Sequence, residues 1–103
     1  MSWQDKIVQA HLAVTDSVSH QQRLKSDRYF VWQEEKPDDL VADGYHCESR
    51  MTGTTDLFTK QEFDPWADAL GQSFDSAGIN WELNSIQFEP ETGFTHYEWV
   101  WWV

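Results

Sequence analysis

The side chains best suited to chemistry in this chain are its carboxylates, of which it has 18. Closely spaced acids such as Glu34, Glu35, Asp38 and Asp39 could bind a hard cation through their oxygens. None of the acids follows the DxDxDG spacing of a calcium-binding loop. We therefore interpret them as a solvated acidic surface rather than as a metal site.

The four histidines and the single cysteine do not form a recognisable reactive pattern. His11, His20, His46 and His96 include no HxH or HExxH pair, so the spacing typical of metal ligands is absent. His46 and Cys47 are adjacent, and a regular strand would place them on opposite faces, which disfavours a Cys–His nucleophile pair. A lone cysteine also rules out an internal disulfide framework and a zinc site built from several cysteines.

Sequence motifs for the common enzyme classes are also missing. The chain contains no phosphate-binding lysine loop, no GxGxxG and no GxSxG. A chain of this length offers little depth for a substrate cleft. We expect a protein that is not an enzyme, with no catalytic residue, no metal and no cofactor.

Aromatic residues are concentrated at the end of the chain, in the segment YEWVWWV. Strand alternation places Tyr97, Trp99 and Trp101 on one face and Trp102 on the other. Tryptophan and tyrosine are enriched at the energetic centres of protein interfaces, so we expect part of this set in a subunit contact. The predicted interface residues are Tyr97, Trp99, Trp101, Trp102, Glu34, Glu35, Asp38 and Asp39.

Two helices are expected to support these residues. Ser2 is a plausible N-cap for a first helix that ends near Thr15. Asp64 is an N-cap for the second, with Pro65 at the first helical position and Gly78 at the left-handed C′ position. The polar stretch DSVSHQQRLKSDR between the first helix and the next strand is interpreted as a loop or a frayed extension of that helix.

Four strands complete the predicted fold. They span about Arg28–Glu34, Tyr45–Phe58, Asn80–Phe88 and Phe94–Trp102, and Gly53 inside the second suggests a β-bulge. The order predicts one α+β domain over 1–103, with a four-stranded, mainly antiparallel sheet and both helices packed on one face. The acidic loop Glu34–Asp43 is expected to be ordered by a neighbouring subunit, and the second sheet face to be covered by one.

Charge and hydropathy restrict the partners. The net charge of −11 argues against phosphate neutralisation on nucleic acid and against docking on anionic lipid. No apolar run approaches the roughly 20 residues of a membrane span. The start MSWQDKIVQAHL lacks a basic region followed by an apolar stretch, so we expect no secretory signal and a small soluble intracellular domain.

The segment from Tyr29 onward resembles a family of small phage and prophage proteins. Four ordered features carry the resemblance: YFVWQEEKPDDLVADG, TTDLFTK, FDPWADALGQSFDSAGI and FEPETGFTHYEWVWWV. The family comprises the tail-completion proteins of long-tailed phages, also called tail terminator or head–tail joining proteins. The resemblance covers about three quarters of the chain, and it depends on the order and spacing of these short motifs.

The resemblance implies a structural role without catalysis or a cofactor. Members of this family are α+β subunits that cap the finished tail tube as a ring and join it to the head connector. The implied partners are further copies of the chain, the tail tube protein and the connector proteins. The implied locations are the bacterial host cytoplasm during assembly and the neck of the virion. An acidic channel would also let DNA slide without trapping its phosphates.

A second hypothesis comes from the charge alone. A small acidic protein can be an inhibitor that neutralises a basic partner, such as an immunity protein for a nuclease toxin or a DNA mimic. An inhibitor of this kind should present one continuous acidic stripe, whereas a ring subunit should present two different edges. A small-molecule binding module is a third possibility, and it would need a pocket.

Overall fold

The computed structural model describes residues 2–38 and 50–103 and confirms an α+β fold. The region 39–49 lies outside the described residues. It includes Asp39, His46 and Cys47, the start of the strand predicted from Tyr45 and the end of the predicted acidic loop. The elements in chain order are α1 (Trp3–Leu12), β1 (Val18–His20), β2 (Arg28–Asp38), β3 (Arg50–Thr59), α2 (Pro65–Ala77), β4 (Asn80–Glu89) and β5 (Phe94–Trp102).

Among the described residues the sheet has five strands in the order β1-β2-β3-β5-β4, not the four that the sequence predicted. The additional strand is β1, which lies in the stretch interpreted as a loop and pairs in parallel with Phe30–Trp32 of β2. All other pairs are antiparallel. A three-residue strand is too short to show a periodic pattern in the sequence. It is defined only by its hydrogen bonds to β2.

β2 continues through the first residues of the predicted acidic loop, which corrects that prediction. The strand ends at Asp38, and Pro37 pairs with Met51 of β3. A proline is tolerated there because β1 pairs only with Phe30–Trp32, so the rest of β2 is an outer edge among the described residues.

The β2–β3 pair has a bulge at the position of Gly53, as predicted, but the extra residue is in the neighbouring strand, between Glu34 and Lys36 of β2. Gly53 itself stays in register, opposite Glu34 and Trp101. A Cβ atom at Gly53 would lie 2.3 Å from the Trp101 ring. Glycine therefore permits the close approach of an indole rather than a bend in the strand.

Both helices pack on one face of the sheet, as predicted. Ser2 caps α1, which ends at Leu12 rather than near Thr15. Asp64 and Gly78 cap α2 as the sequence predicted. Neither described helix has the length and apolarity needed to cross a membrane. The core between helices and sheet contains Ile7, Ala10, Phe30, Trp32, Leu57, Leu70, Phe74, Ile79, Tyr97, Trp99 and Trp101.

Candidate protein-docking surface

Three of the four aromatic residues predicted for an interface lie in the core of the subunit. Tyr97, Trp99 and Trp101 expose 8%, 1% and 0% of their surface because α1 and α2 cover their face of the sheet. We therefore no longer assign these three residues to a subunit contact. Trp102 lies on the opposite face, as alternation predicted, and it is half-buried between Thr52 and Asn80 in the sheet register.

Of the predicted acidic interface residues, Glu34, Glu35 and Asp38 lie on the outer part of β2, and Asp39 lies outside the described residues. Glu34 is half-buried and accepts hydrogen bonds from His20 Nε2 at 2.9 Å and Gln21 Nε2 at 3.1 Å. The hydrogen bond from His20 lowers the pKa of Glu34. Glu35 is exposed at the register shift, and Asp38 is the last residue of the strand. Burial of the β5 aromatic residues thus separates them from Glu34 and Glu35 on β2.

The other edge of the sheet, β4, exposes a row of large apolar side chains that sequence reasoning did not single out. Leu83, Ile86 and Phe88 are 41%, 56% and 63% exposed. Within the described residues β4 pairs with β5 alone, so its outer backbone groups have no strand partner. An open edge with apolar side chains is a template for association with another chain.

A groove of about 460 Å³ lies between α2 and this edge. Its shape depends on Gly71, because a Cβ there would lie 2.9 Å from the Trp81 ring, which packs against α2 at this point. Trp81 Nε1 donates to Asp75 Oδ1 at 2.8 Å, which fixes the indole as one wall. The apolar lining residues are Phe63, Ala67, Gly71, Trp81, Leu83 and Ile86.

Phe63, at one end of the groove, is the most exposed large apolar residue of the described chain, at 86%. Its φ of 53° lies in the left-handed region, which is unfavourable for a bulky side chain. A residue preceding the N-cap often packs against the fourth helical residue, but here that residue is the polar Asp68. The fold therefore holds a largely exposed aromatic ring in an unfavourable backbone conformation, with little burial inside the subunit to offset the strain.

The conformation at Phe63 is anchored by the next residue, Asp64, which is 3% exposed. The Arg28 Nε atom and the Thr59 hydroxyl donate to Asp64 Oδ2 at 2.8 Å and 2.6 Å, and the Trp66 N–H donates to Oδ1 at 2.9 Å. Burial on its own raises the pKa of Asp64, but these hydrogen bonds outweigh it and lower the pKa overall. The ionised carboxylate thus ties β2, β3 and α2 together beneath the groove.

The segment connecting β1 to β2 presents a different surface, on the sheet face without helices. Arg23, Leu24 and Lys25 are all exposed, with Leu24 at 40%. The Arg23 guanidinium lies 4.1 Å from the centre of the Phe58 ring, which holds the segment over the face without helices. Among the described residues, neither Arg23 nor Lys25 forms an ion pair with an acid.

On that same face, Asp56, His96 and Glu98 bring their ligand atoms within 4.8 Å of one another and could hold a divalent cation. His96 Nε2 lies 2.9 Å from Asp56 Oδ1, and Asn84 donates to Glu98 Oε1 at 2.7 Å. The hydrogen bond to Asp56 raises the pKa of His96, which favours the protonated ring as donor to the carboxylate. A protonated imidazole is not a metal ligand, so a divalent cation would bind this cluster only after His96 lost its proton.

No model of a known protein family matches the chain, and no curated protein is significantly similar to it. The surface features described above therefore carry the functional assignment. The sequence could have drawn attention to Phe63, since an aromatic residue immediately before the Asp64-Pro65 helix start has no apolar partner four helical positions later.

Proposed function

We propose that this protein is a structural subunit of a long-tailed phage, which closes the tail tube as a ring and joins it to the head connector. The observation that carries this proposal is the exposed apolar edge formed by Phe63 and β4. Such a surface is unfavourable on an isolated subunit, and a second protein surface would remove it from water.

Two exposed surfaces of the subunit are unlike each other, which supports a ring rather than a two-fold dimer. The β4 edge on the helix side is apolar, whereas the segment after β1 carries Arg23 and Lys25, with Arg23 over the face without helices. Contacts between two different surfaces are head-to-tail, and they close into a ring when the rotation per subunit divides a full turn. The order and spacing of the motifs that resemble tail-completion proteins support the same assignment.

The net charge of −11 fits a subunit that surrounds a DNA channel. DNA passing through a ring would be retained by lysine and arginine side chains on its inner surface, because such contacts release counterions and stabilise binding. Acidic side chains there would keep the channel free of tight contacts.

An acidic inhibitor of a basic partner is the alternative function, and the two hypotheses differ in their use of the β4 edge. An inhibitor that works by charge gains affinity and association rate from its carboxylates. The exposed apolar side chains of Leu83, Ile86 and Phe88 do not contribute to binding by charge. The apolar edge is therefore the feature that favours the structural role.

Electron microscopy of the purified protein mixed with tail tubes from the same phage or prophage tests the proposal. We expect rings with a central opening in the protein alone and densities at one end of the tubes in the mixture. A matched sample should contain a double variant of the edge, Ile86→Ser with Phe88→Ser, whose exposed side chains contribute little to the subunit core. Tubes that stay bare with the parent protein, or are capped equally by the variant, would contradict the proposal.

A further inference from the structure

We propose that the groove between α2 and β4 binds the Arg23–Leu24–Lys25 segment of the next copy of this chain. This inference rests on the proposed ring and names the contact that closes it. The groove combines an apolar floor with carboxylates at its rim, where Asp68 and Asp75 are both exposed. These two acids are seven residues apart on α2, which corresponds to about 10 Å along the helix axis. A matching occupant brings an apolar side chain together with two cations.

The chain itself contains one such segment. Arg23 and Lys25 are the only two of its 7 basic residues that lie within two positions of each other, and the residue between them is the exposed Leu24. Their long side chains can reach the rim while Leu24 contacts the floor. Arg28 and Lys60 already pair with acids of their own subunit, Asp64 and Asp27. Arg23 contacts the Phe58 ring instead, and its charge has no acidic partner among the described residues.

The position of the segment requires that the contact join two different copies. Arg23 lies over Phe58 of the central strand β3, on the sheet face without helices, whereas the groove lies between α2 and β4 on the helix side. The sheet itself therefore separates a segment from its own groove. Each copy instead offers a groove on one side and a segment on the other, which is the arrangement that a head-to-tail ring requires.

Charge reversal on each side of the contact tests this assignment. Asp68→Lys with Asp75→Lys places cations opposite cations, and Arg23→Glu with Lys25→Glu places acids opposite acids. We expect each double variant, folded by circular dichroism, to associate more than about tenfold more weakly than the parent in sedimentation. The matched control for the Asp68 and Asp75 variant is Asp16→Lys with Glu91→Lys, which makes the same change in net charge at two exposed acids outside the groove. This control should associate like the parent.

Complementation makes the test specific for the proposed pair of surfaces. An equimolar mixture of the two double variants should form oligomers in which the variants alternate, because every groove then meets a segment of opposite charge. The quadruple variant should recover self-association for the same reason. Recovery in both experiments supports the contact.

Two outcomes overturn the inference, and they differ in what they say about function. If the parent forms rings but the reversed variants behave like the Asp16 and Glu91 control, the segment does not occupy the groove, and the ring closes through another contact. If the parent stays monomeric at every concentration and on tail tubes, the proposed function fails together with the contact.

Discussion

The His11 side chain lies in the core with its Nε2 atom 2.9 Å from the hydroxyl oxygen of Thr55. Its Nδ1–H donates to the Ile7 carbonyl at 2.7 Å, so Nε2 is the acceptor and the Thr55 hydroxyl is the donor. The Thr55 oxygen in turn accepts from Trp101 Nε1 at 3.0 Å. This chain of hydrogen bonds fixes a neutral histidine between α1, β3 and β5, and it leaves none of the participating side-chain groups unpaired.

The buried His11 predicts a loss of stability in acid. Burial lowers the pKa of His11 from 6.5 to about 4, although its hydrogen bond to Ile7 opposes the change. The unfolded chain therefore takes up a proton at this site before the folded chain does, and the free energy of unfolding falls as the pH drops from about 6.5 through about 4. The total contribution is about 3 kcal/mol. Urea unfolding of the parent and of His11→Gln measures it.

The Gln side chain can also donate and accept hydrogen bonds but does not titrate in this range. We expect His11→Gln to lower stability near neutral pH and to lose less stability than the parent on acidification. An equal decrease in the free energy of unfolding on acidification in the two proteins would contradict the assignment of a neutral His11.

Gly53→Ala should destabilise the subunit because of the close contact between β3 and β5. The added methyl group would lie 2.3 Å from the Trp101 ring and 2.5 Å from the Gln33 carbonyl oxygen. We expect a loss of about 2–3 kcal/mol or more in denaturant unfolding. Gly93→Ala is the control, since it has open space around it and a φ of 78°, and it should lose about 1–2 kcal/mol from backbone strain. A smaller loss for Gly53→Ala than for this control would contradict the role given to Gly53.

The success of sequence reasoning on the fold depended on whether the signals were local. The residues that cap α2, Asp64 and Gly78, act through their immediate neighbours, and both positions were predicted correctly. β1 could not be predicted, because Val18–His20 is a strand only by virtue of its pairing with β2. Pro37 lies in the segment predicted to be an acidic loop, whereas its edge position in the sheet allows a strand.

Phe63→Asn should separate assembly from stability. Asparagine adopts the left-handed conformation more readily than phenylalanine, so the variant should match the parent in stability or exceed it by up to about 1 kcal/mol. Loss of the 86% exposed ring should nevertheless weaken self-association about tenfold or more. Leu12→Gln, which removes another exposed apolar side chain outside the groove, is the matched control and should assemble normally. Normal assembly of Phe63→Asn would show that the Phe63 side chain is not part of a contact between subunits.

The ion pair on the open sheet face predicts the opposite pH dependence from that of His11. The hydrogen bond to Asp56 raises the pKa of His96 above 6.5, so its stabilisation is complete below that value and is lost as the pH rises through the folded-state pKa. The measurement is the free energy of unfolding at about pH 6 and at about pH 9. We expect the difference between these two values to be smaller in Asp56→Asn than in the parent. An unchanged difference in Asp56→Asn would contradict the ion pair.

The candidate site was less accessible to sequence reasoning than the fold. Alternation correctly separated Trp102 from Trp99 and Trp101, but it could not show that α1 and α2 cover the latter two. Ile86 and Phe88 looked like ordinary strand residues, and their exposure depends on β4 being an edge strand. The order of strands in a sheet is a long-range property that the spacing of residues along the chain does not encode.

The mass of the protein under native conditions, followed over a wide range of concentrations, tests the central claim most directly. A closed head-to-tail ring predicts one discrete species larger than a dimer, at a fixed multiple of 12.1 kDa, in equilibrium with the monomer. The proposed ring would be contradicted by a protein that remains monomeric at all concentrations or that forms only a two-fold dimer. A continuous series of oligomers of increasing size would also contradict it.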